Sequence, residues 1–266
     1  MEIQLWKEIL TPYDLAVKEL LVKFNHIIIE YKSRDLYSPI EAVNGRVKSI
    51  SSILEKCRKK NIPLEMVTEK VEDIAGIRIM CQFVEDIYNV VEIIRKRKDM
   101  VIVQEKDYIN NAKPSGYRSY HIIAKYDVET MEGCKTISVE IQIRTLAMNF
   151  WATIEHSLQY KYRRNIPDRI RERLNASAEA ILKLDKEMSS IHDEIMDAQS
   201  SYIIHANIVS DILNNIQNLY KIANKKEVVK IQDEFFEIYK KNNLAELRSF
   251  ARQLDIMAEG YRAQNI

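Results

Sequence analysis

Strict alternation of apolar and polar residues through residues 137–144 constrains the fold of this chain more than any other feature. One side of the run is aliphatic throughout, and the other carries Glu140, Gln142 and Arg144. Successive side chains of a β-strand point to opposite faces, so the aliphatic side is expected to pack on a core. The opposite face presents a carboxylate, an amide and a guanidinium in a row. That is more chemistry than solubility requires, and it predicts a functional surface.

A second alternating run, residues 119–128, lies just upstream. Its apolar side consists of Tyr120, Ile122, Ala124 and Tyr126, and its polar side of Ser119, His121 and Lys125. Residues 129–134 contain Gly133 and predict a hairpin connection between the runs. Antiparallel pairing then places His121 opposite Gln142, on the same face as Glu140. That shared face is the candidate active site.

Composition limits the classes of partner and compartment. The chain has 266 residues with 5 Gly, 5 Pro and 30% charged residues, which favours a helix-rich protein with few long loops. Its net charge is +1, so any basic site must be local. The three cysteines lack C-x-x-C spacing and predict reduced thiols. No signal peptide and no apolar run of roughly 18 residues is recognisable, and a cytoplasmic protein without membrane contact is expected.

Alternation of strand and helix patterns predicts an α/β (α+β) fold with a mixed, largely antiparallel central sheet flanked by helices. We expect a helical segment over 1–38, the α/β core over 39–165, a long helix over 166–200 and a helical extension of unknown role over 201–266. Thr11 and Pro12 predict the start of the first long helix.

A second helix is predicted to begin at residues 38–41, which resemble a capping box. Its apolar stripe is Ile40, Val43, Val47, Ile50 and Leu54. Lys48, Ser52 and Lys56 are spaced four apart and would form a second, basic face near Arg46. Such a face has two interpretations, a solvated surface or a phosphate-binding one.

Two acids have positions that suit catalysis: Asp73 directly before a predicted strand and Glu140 within one. Carboxylates that point from neighbouring strands into a cleft suit Mg²⁺. Basic residues that could hold a polyphosphate are Arg46, Lys48, Lys56, Arg78, Lys106 and Lys113. Tyr117 could stack on a base. The Walker-type phosphate loop is absent from the sequence, which excludes a P-loop NTPase. These patterns alone predict a nucleotide-handling α/β domain.

Several motifs in a fixed order go further. Residues 73–79 (DIAGIRI), 113–121 (KPSGYRSYH), 140–145 (EIQIRT) and 147–156 (AMNFWATIEH) resemble the synthetase domain of RelA/SpoT proteins, over about 10–200. The resemblance is to the small, single-domain alarmone synthetases. It implies a nucleotidyltransferase-like synthetase fold, a homotetramer and a pyrophosphokinase of the stringent response. Such an enzyme moves the β,γ-pyrophosphate of ATP to the 3′-hydroxyl of GDP or GTP, with GMP as a further candidate acceptor.

The resemblance also implies a role for each matching residue. Asp73 and Glu140 would hold Mg²⁺, and Glu140 would take the proton of the 3′-hydroxyl. Arg46 and Arg78 would sandwich adenine. The residues implied for the ATP phosphates are Lys48, Ser52, Lys56 and Lys106. Those implied for the acceptor nucleotide are Tyr117 as the guanine platform, Lys113 and His121 at its phosphates, and Gln142 and Asn149 as positioning groups.

The chain departs from the family pattern in three places, one of which is a tail after about residue 200 that is longer than expected for the family. Long synthetases carry R-x-K-D where residues 104–107 read QEKD, so the first arginine is missing. Some tetrameric members bind alarmone in a central cleft through basic and aromatic residues. The corresponding positions here are Leu21, Asn25 and Ala42, which offer neither charge nor ring.

Two alternative functions stay open. One is a nucleotidyltransferase, which usually needs three acids where two are found. The other is a non-catalytic regulator that binds nucleotides or single-stranded RNA, against which the presence of both Asp73 and Glu140 argues. His192-Asp193 resembles the metal-binding pair of a hydrolase, but five histidines in a chain of this length favour a structural role.

Overall fold

The computed structural model describes residues 2–161, 167–241 and 243–264. The helices are α1 (Glu2–Ser33), α2 (Ile50–Lys60), α3 (Val67–Lys70), α4 (Val84–Arg95), α5 (Leu146–Lys161), α6 (Asp168–Ile222), α7 (Lys225–Lys240) and α8 (Leu244–Gln264). The strands are β1 (Ala42–Val47), β2 (Ala75–Cys81), β3 (Met100–Asp107), β4 (Tyr120–Thr130) and β5 (Gly133–Thr145).

The strands form one five-stranded sheet in the order β1-β2-β5-β4-β3. Only the pairing of β2 with β5 is parallel, and the other three pairings are antiparallel. The prediction of a mixed, largely antiparallel sheet flanked by helices is therefore confirmed.

The pairing of the two alternating runs is also confirmed. His121 lies opposite Gln142 in the antiparallel pair of β4 and β5. The aliphatic side chains of β5 are buried in the main core. The connection is tighter than predicted, because the ladder continues to the pair Thr130 and Gly133. Strand β3 extends to Asp107, so Lys106 is part of a strand.

The predicted second helix at residues 38–47 is wrong. Residues Ala42–Val47 form β1, which pairs antiparallel with β2. The Ser38 hydroxyl bonds locally to Ile40, and the cap of α2 is Ser49, whose side chain accepts from the Ser52 amide. Gly45 allows β1 to pack closely on α1. A Cβ atom at Gly45 would lie 2.6 Å from Val17 Cγ1, so β1 and α1 approach each other too closely for any side chain.

The predicted start of the first helix at Thr11 is also wrong. Helix α1 begins at Glu2 and continues through Pro12. The Thr11 hydroxyl donates to the carbonyl of Lys7 one turn earlier, as a residue inside a helix does. One face of α1 packs on the core through Ala16, Leu20 and Phe24, and this packing offsets the hydrogen bond that proline cannot make.

The chain divides into two compact units, Met1–Ser190 and Ile191–Ile266. The first contains the sheet and its main core. Helix α6 begins at Asp168, as predicted, but extends to Ile222, beyond the expected end near residue 200. The sequence also predicts a helix over 146–162; the end of that helix and the predicted boundary at 165/166 lie outside the described residues.

The second unit has a hydrophobic core of its own. The apolar stripes of its last two helices are buried at Val228 and Phe235 on α7 and at Leu247 and Leu254 on α8. They pack on one another and on the C-terminal part of α6, including Leu219. The stripes therefore find partners within the unit itself.

Among the described helices, none combines the length and the apolar character that crossing a membrane requires. The described cysteines Cys57, Cys81 and Cys134 are all free thiols.

Helix α6 is anchored on the sheet at the end of β5. The Thr145 hydroxyl donates to Asp185 Oδ2 over 2.8 Å and accepts from the amide of Met148, which caps α5 as predicted. Asp185 is 4% exposed. Burial raises the pKa of the Asp185 carboxyl to about 6, with a further upward contribution from Glu85, although the Thr145 hydrogen bond lowers it.

We predict that Asp185→Asn removes a pH dependence of stability. The folded pKa of about 6 exceeds the unfolded value of 3.8, so Asp185 stabilises the fold below about pH 4 and loses that contribution as the pH rises through 6. At about 1.4 kcal/mol per unit, the loss is on the order of 2–3 kcal/mol. Urea unfolding of both proteins between pH 4 and 7.5 measures it. A stability difference between them that is constant with pH would contradict the prediction.

Candidate active site

The strand register lines up functional side chains in two rows across one face of the sheet. Arg78, Gln142, His121 and Lys106 are direct cross-strand neighbours in one row. In the next row Gly76 lies between Arg46 and Glu140. Because Gly76 has no side chain, the floor beside Glu140 stays open. The two rows place guanidinium, amide, imidazole, ammonium and carboxylate groups within one surface.

A cavity of about 560 Å³ covers this surface. The predicted site residues that line it are Arg46, Lys56, Asp73, Arg78, Lys106, Lys113, Tyr117, His121, Glu140 and Gln142. Lys48 and Ser52 line an adjoining cavity of about 550 Å³, which shares Arg46, Lys56 and Asp73. Asn149 is half-buried on α5 and is not among the described residues that line either cavity.

Asp73 is held by two ammonium groups. Lys48 Nζ lies 2.6 Å from Asp73 Oδ2, and Lys56 Nζ lies 2.8 Å from Oδ1. Burial raises the pKa of Asp73, but the two lysines outweigh it and hold the pKa below its usual value. The predicted basic face thus comes together around an acid, although Lys48 precedes α2 and only Ser52 and Lys56 lie on it.

Glu140 is ionised for a similar reason. His121 Nδ1 lies 3.1 Å from Glu140 Oε1, and Gln142 Nε2 donates to Oε2 over 2.8 Å. Burial raises the pKa of Glu140, whereas the His121 ring and the Gln142 amide lower it, and the net direction is downward. The charge of Asp73 opposes this fall slightly, which shows that the two carboxylates act on each other.

Tyr117 forms the wall next to Glu140. Its hydroxyl lies 2.8 Å from His121 Nε2 and 2.9 Å from Arg144 Nη2. Lys113 Nζ lies over the rings of Tyr117 and Tyr108, at 4.7 and 4.5 Å from their centroids. Burial lowers the pKa of Lys113, which Glu140 partly opposes. An ammonium over aromatic rings beside a carboxylate can bind an anionic ligand close to the reacting groups.

The loop before β4 is shaped by a glycine and pinned by α6. Gly116 has φ +83°, and its amide closes a turn onto the carbonyl of Lys113 over 2.8 Å. The Asn175 side-chain amide donates to the carbonyl of Pro114. A Cβ atom at Gly116 would lie 2.7 Å from Ala178 Cβ. Only glycine allows both this backbone conformation and this close contact.

Sequence reasoning left some cavity residues without a role. Arg144 was recognised on the polar face of β5, but no function was assigned to it. His156 lines both cavities from α5, where it shares a face with Ala152. The helical spacing of residues 152, 153 and 156 directly after β5 is the signal that could have found this wall.

Metal-binding capacity rests on the two carboxylates. No group of three or more His, Cys, Asp or Glu side chains with metal-site geometry occurs among the described residues. Mg²⁺ needs only one or two protein carboxylates when phosphates and water supply its other ligands. Two ionised carboxylates in one basic cavity fit that requirement.

Comparisons with known proteins identify related chains. Residues 45–165 match the family model described as "Region found in RelA / SpoT proteins". GTP pyrophosphokinase YjbM of Bacillus subtilis is 53% identical over 202 residues, which cover 76% of this chain and 95% of the relative. GTP pyrophosphokinase YwaC of the same organism is 41% identical and covers 71% and 91%. The crystal structure of small alarmone synthetase 1 from Bacillus subtilis, bound to its product pppGpp, has a TM-score of 0.70 and 54% identity. The match covers 72% of this chain and 98% of the chain in that crystal structure.

We predict that Gly116→Ala destabilises the fold by about 2–4 kcal/mol, because a strained positive φ and a steric clash add up. Gly133→Ala is the matched control, since Gly133 has φ +104° but open space around it. That control should show the strain alone. Ala178→Gly should restore much of the difference in the Gly116→Ala background. Equal losses in both glycine variants, measured by urea unfolding, would show that the contact with α6 does not constrain the loop.

Proposed function

This chain belongs to the small alarmone synthetases of the RelA/SpoT family, and on this premise we propose that it transfers the β,γ-pyrophosphate of ATP to the 3′-hydroxyl of GDP or GTP. One observation carries the proposal: two ionised carboxylates, Asp73 and Glu140, share a cavity whose other walls are basic. Transfer between two polyphosphates needs this combination of metal ligands, base and cations. Family membership also favours this reaction over nucleotidyl transfer.

We assign Mg²⁺ binding to Asp73 and Glu140, whose ionised oxygens suit this hard cation. When bound, Mg²⁺ would neutralise the charge that builds up on the transferring phosphates. The ammonium groups of Lys48 and Lys56 neutralise Asp73 in the nucleotide-free site. Incoming phosphates would give these lysines new partners and free Asp73 oxygens for the metal.

The donor nucleotide would occupy the side of the site formed by β1, β2 and α2. We assign the stacking on adenine to Arg46 and Arg78. Both are cationic, and burial together with the neighbouring guanidiniums lowers the pKa of Arg78, so an electron-rich ring between them would relieve their repulsion. The groups we assign to the ATP phosphates are Lys48, Ser52, Lys56 and Lys106.

The acceptor nucleotide would occupy the opposite side, below the pinned loop. Tyr117 would stack on guanine, while Lys113 and His121 would face the acceptor phosphates. Gln142 lies in the same row as His121 and would help to orient the ribose. Asn149 stays in this set on the family resemblance alone, because it does not line the cavity.

The reaction itself needs one proton acceptor. Glu140 takes the proton of the 3′-hydroxyl as the oxygen attacks the β-phosphorus of ATP. The bond from that phosphorus to the oxygen bridging to the α-phosphate breaks, and AMP leaves with the bridging oxygen. The protein contributes position and charge, which is what this class of transfer requires.

We predict that Glu140→Gln lowers kcat at least ~10²-fold, because loss of a general base alone costs ~10²–10⁴-fold. Glu105→Gln is the matched control. Glu105 lies on the other face of the sheet, where Arg95 pairs with it. Product formation from ATP, Mg²⁺ and GDP, GTP or GMP, separated by charge, measures both variants. A folded Glu140→Gln protein with near-normal turnover would rule out the mechanism.

Following the small synthetases, we further propose a cytoplasmic homotetramer. Leu21 and Asn25 lie on α1, where the Asn25 amide donates to the backbone of Leu21, and Ala42 begins β1. None of the three can neutralise a phosphate. Burying a guanosine tetra- or pentaphosphate next to them would therefore be strongly unfavourable.

We predict that added pppGpp leaves the initial rate of synthesis unchanged within about twofold, since an activating cleft would need cations that these positions lack. Initial rates at subsaturating GDP, with and without pppGpp, test this. Direct competition at the active site is controlled by repeating the measurement at saturating GDP. A severalfold rise in rate at both concentrations would mean that other residues form an activating site.

A further inference from the structure

Five side chains in the candidate active site form a closed ring of hydrogen bonds. Its members are Arg144, Tyr117, His121, Glu140 and Gln142. On one side, Arg144 Nη2 lies 2.9 Å from the Tyr117 hydroxyl, which lies 2.8 Å from His121 Nε2, and His121 Nδ1 lies 3.1 Å from Glu140 Oε1. On the other side, Arg144 Nη2 bonds to Gln142 Oε1, and Gln142 Nε2 lies 2.8 Å from Glu140 Oε2.

With a neutral His121 ring, the chemistry of these groups fixes the direction of every hydrogen bond. An ionised carboxylate only accepts, so His121 must carry its proton on Nδ1, which in a neutral ring leaves Nε2 as an acceptor. The Tyr117 hydroxyl therefore donates to Nε2. Burial raises the pKa of Tyr117, so the hydroxyl keeps its proton. The tyrosine oxygen then accepts from Arg144, which can only donate.

The second side of the ring runs in the same direction. Gln142 accepts from Arg144 through its carbonyl oxygen and donates to Glu140 through its amide nitrogen. Both sides thus lead from a cation to an anion, and each bond polarises the next. We refer to them as the Tyr117–His121 arm and the Gln142 arm.

Arg144 is a buried cation at one end of the ring of hydrogen bonds. The residue is 4% exposed, and a buried guanidinium is costly unless its charge is compensated. The carboxylate whose charge acts on it is Glu140, which it reaches through the two arms. The ring of Tyr117 also covers the guanidinium, whose carbon lies 5.3 Å from the ring centroid. A buried and covered cation is poorly placed to bind a substrate phosphate itself.

We propose that Arg144 is a positioning residue, which fixes the carboxylate plane of Glu140 through the two arms so that it can take the proton of the acceptor hydroxyl. The proposal rests on the proposed function, in which Glu140 is the base. A carboxylate bonded at one oxygen can rotate about its last torsion. One bonded at both oxygens by groups that are themselves held cannot, and a base must be held within a fraction of an ångström to be effective.

Three variants test this proposal, each compared with the parent for kcat, KM and calorimetric GDP affinity. Tyr117→Phe cuts one arm but keeps the aromatic side chain as a stacking surface. Arg144→Lys keeps the charge, but its side chain ends one bond short of Nη2, the single nitrogen from which both arms start. The third variant combines the two changes. The matched control is Tyr126→Phe, which removes a hydroxyl that bonds to Glu19 on the opposite face of β4, away from the cavity.

We expect each single change to lower kcat about 10- to 100-fold, with GDP affinity within about twofold of the parent, and we expect Tyr126→Phe to leave both unchanged. The double variant should be no slower than Arg144→Lys, because that change already cuts both arms. If the two single losses in kcat multiply in the double variant, the proposal that Arg144 acts through the two arms is overturned. A weaker affinity for GDP with unchanged kcat would instead make Arg144 a substrate ligand.

Two further measurements cover the remaining outcomes. If Arg144→Lys does not fold, Tyr117→Phe and Gln142→Leu cut the arms one at a time, and cutting both must cost more kcat than either alone. Nitrogen NMR of His121 in the nucleotide-free protein reports the geometry without any activity. The Nδ1–H tautomer is expected. The Nε2–H tautomer would contradict the Tyr117–His121 arm and overturn the proposal. An inactive parent that shows the expected tautomer would overturn the proposed function and leave the geometry intact.

Discussion

The antiparallel register of β4 and β5 ties the hydrophobic core to the active site, because the two faces of this pair serve different purposes. The aliphatic face of β5 is almost completely buried, with Val139, Ile141 and Ile143 at 0% exposure. Burying each such side chain contributes about 2 kcal/mol. A slip of one residue would turn them outward and place Glu140 in the core at a large cost. Packing of the aliphatic face therefore keeps Glu140 and the other polar side chains on the opposite face.

The net charge of the protein conceals a local excess of positive charge around the main cavity. The chain carries a net charge of +1, yet seven lysines and arginines line the main cavity against four carboxylates. Within that surplus, Asp73 and Glu140 are each surrounded by donors that keep them ionised. The result is a cavity with an excess of positive charge that still contains two ionised carboxylates. Composition alone could exclude a globally basic surface but could not reveal this arrangement.

Strands β4 and β5 could be predicted from the sequence because apolar and polar residues alternate along most of their length. Strand β1 could not. Val43 and Val47 are four apart, as on a helix, and only contact with β2 and α1 decides between the two structures. The close approach at Gly45 is visible only in three dimensions. The same holds in the site, where the two-residue spacing of Glu140, Gln142 and Arg144 predicts one shared face. The link through Tyr117 depends on how a distant loop folds back.

That loop explains why the first unit suffices to build the site. The cavity is lined by residues up to His156, and its acceptor loop is pinned by Asn175 and Ala178 on α6. The same helix is fixed to the end of β5 through Asp185. Each of these contacts precedes residue 190, where the first compact unit ends. The second unit buries its own apolar faces in a separate core. The described residues that form the site and pin its loop therefore all belong to the first unit.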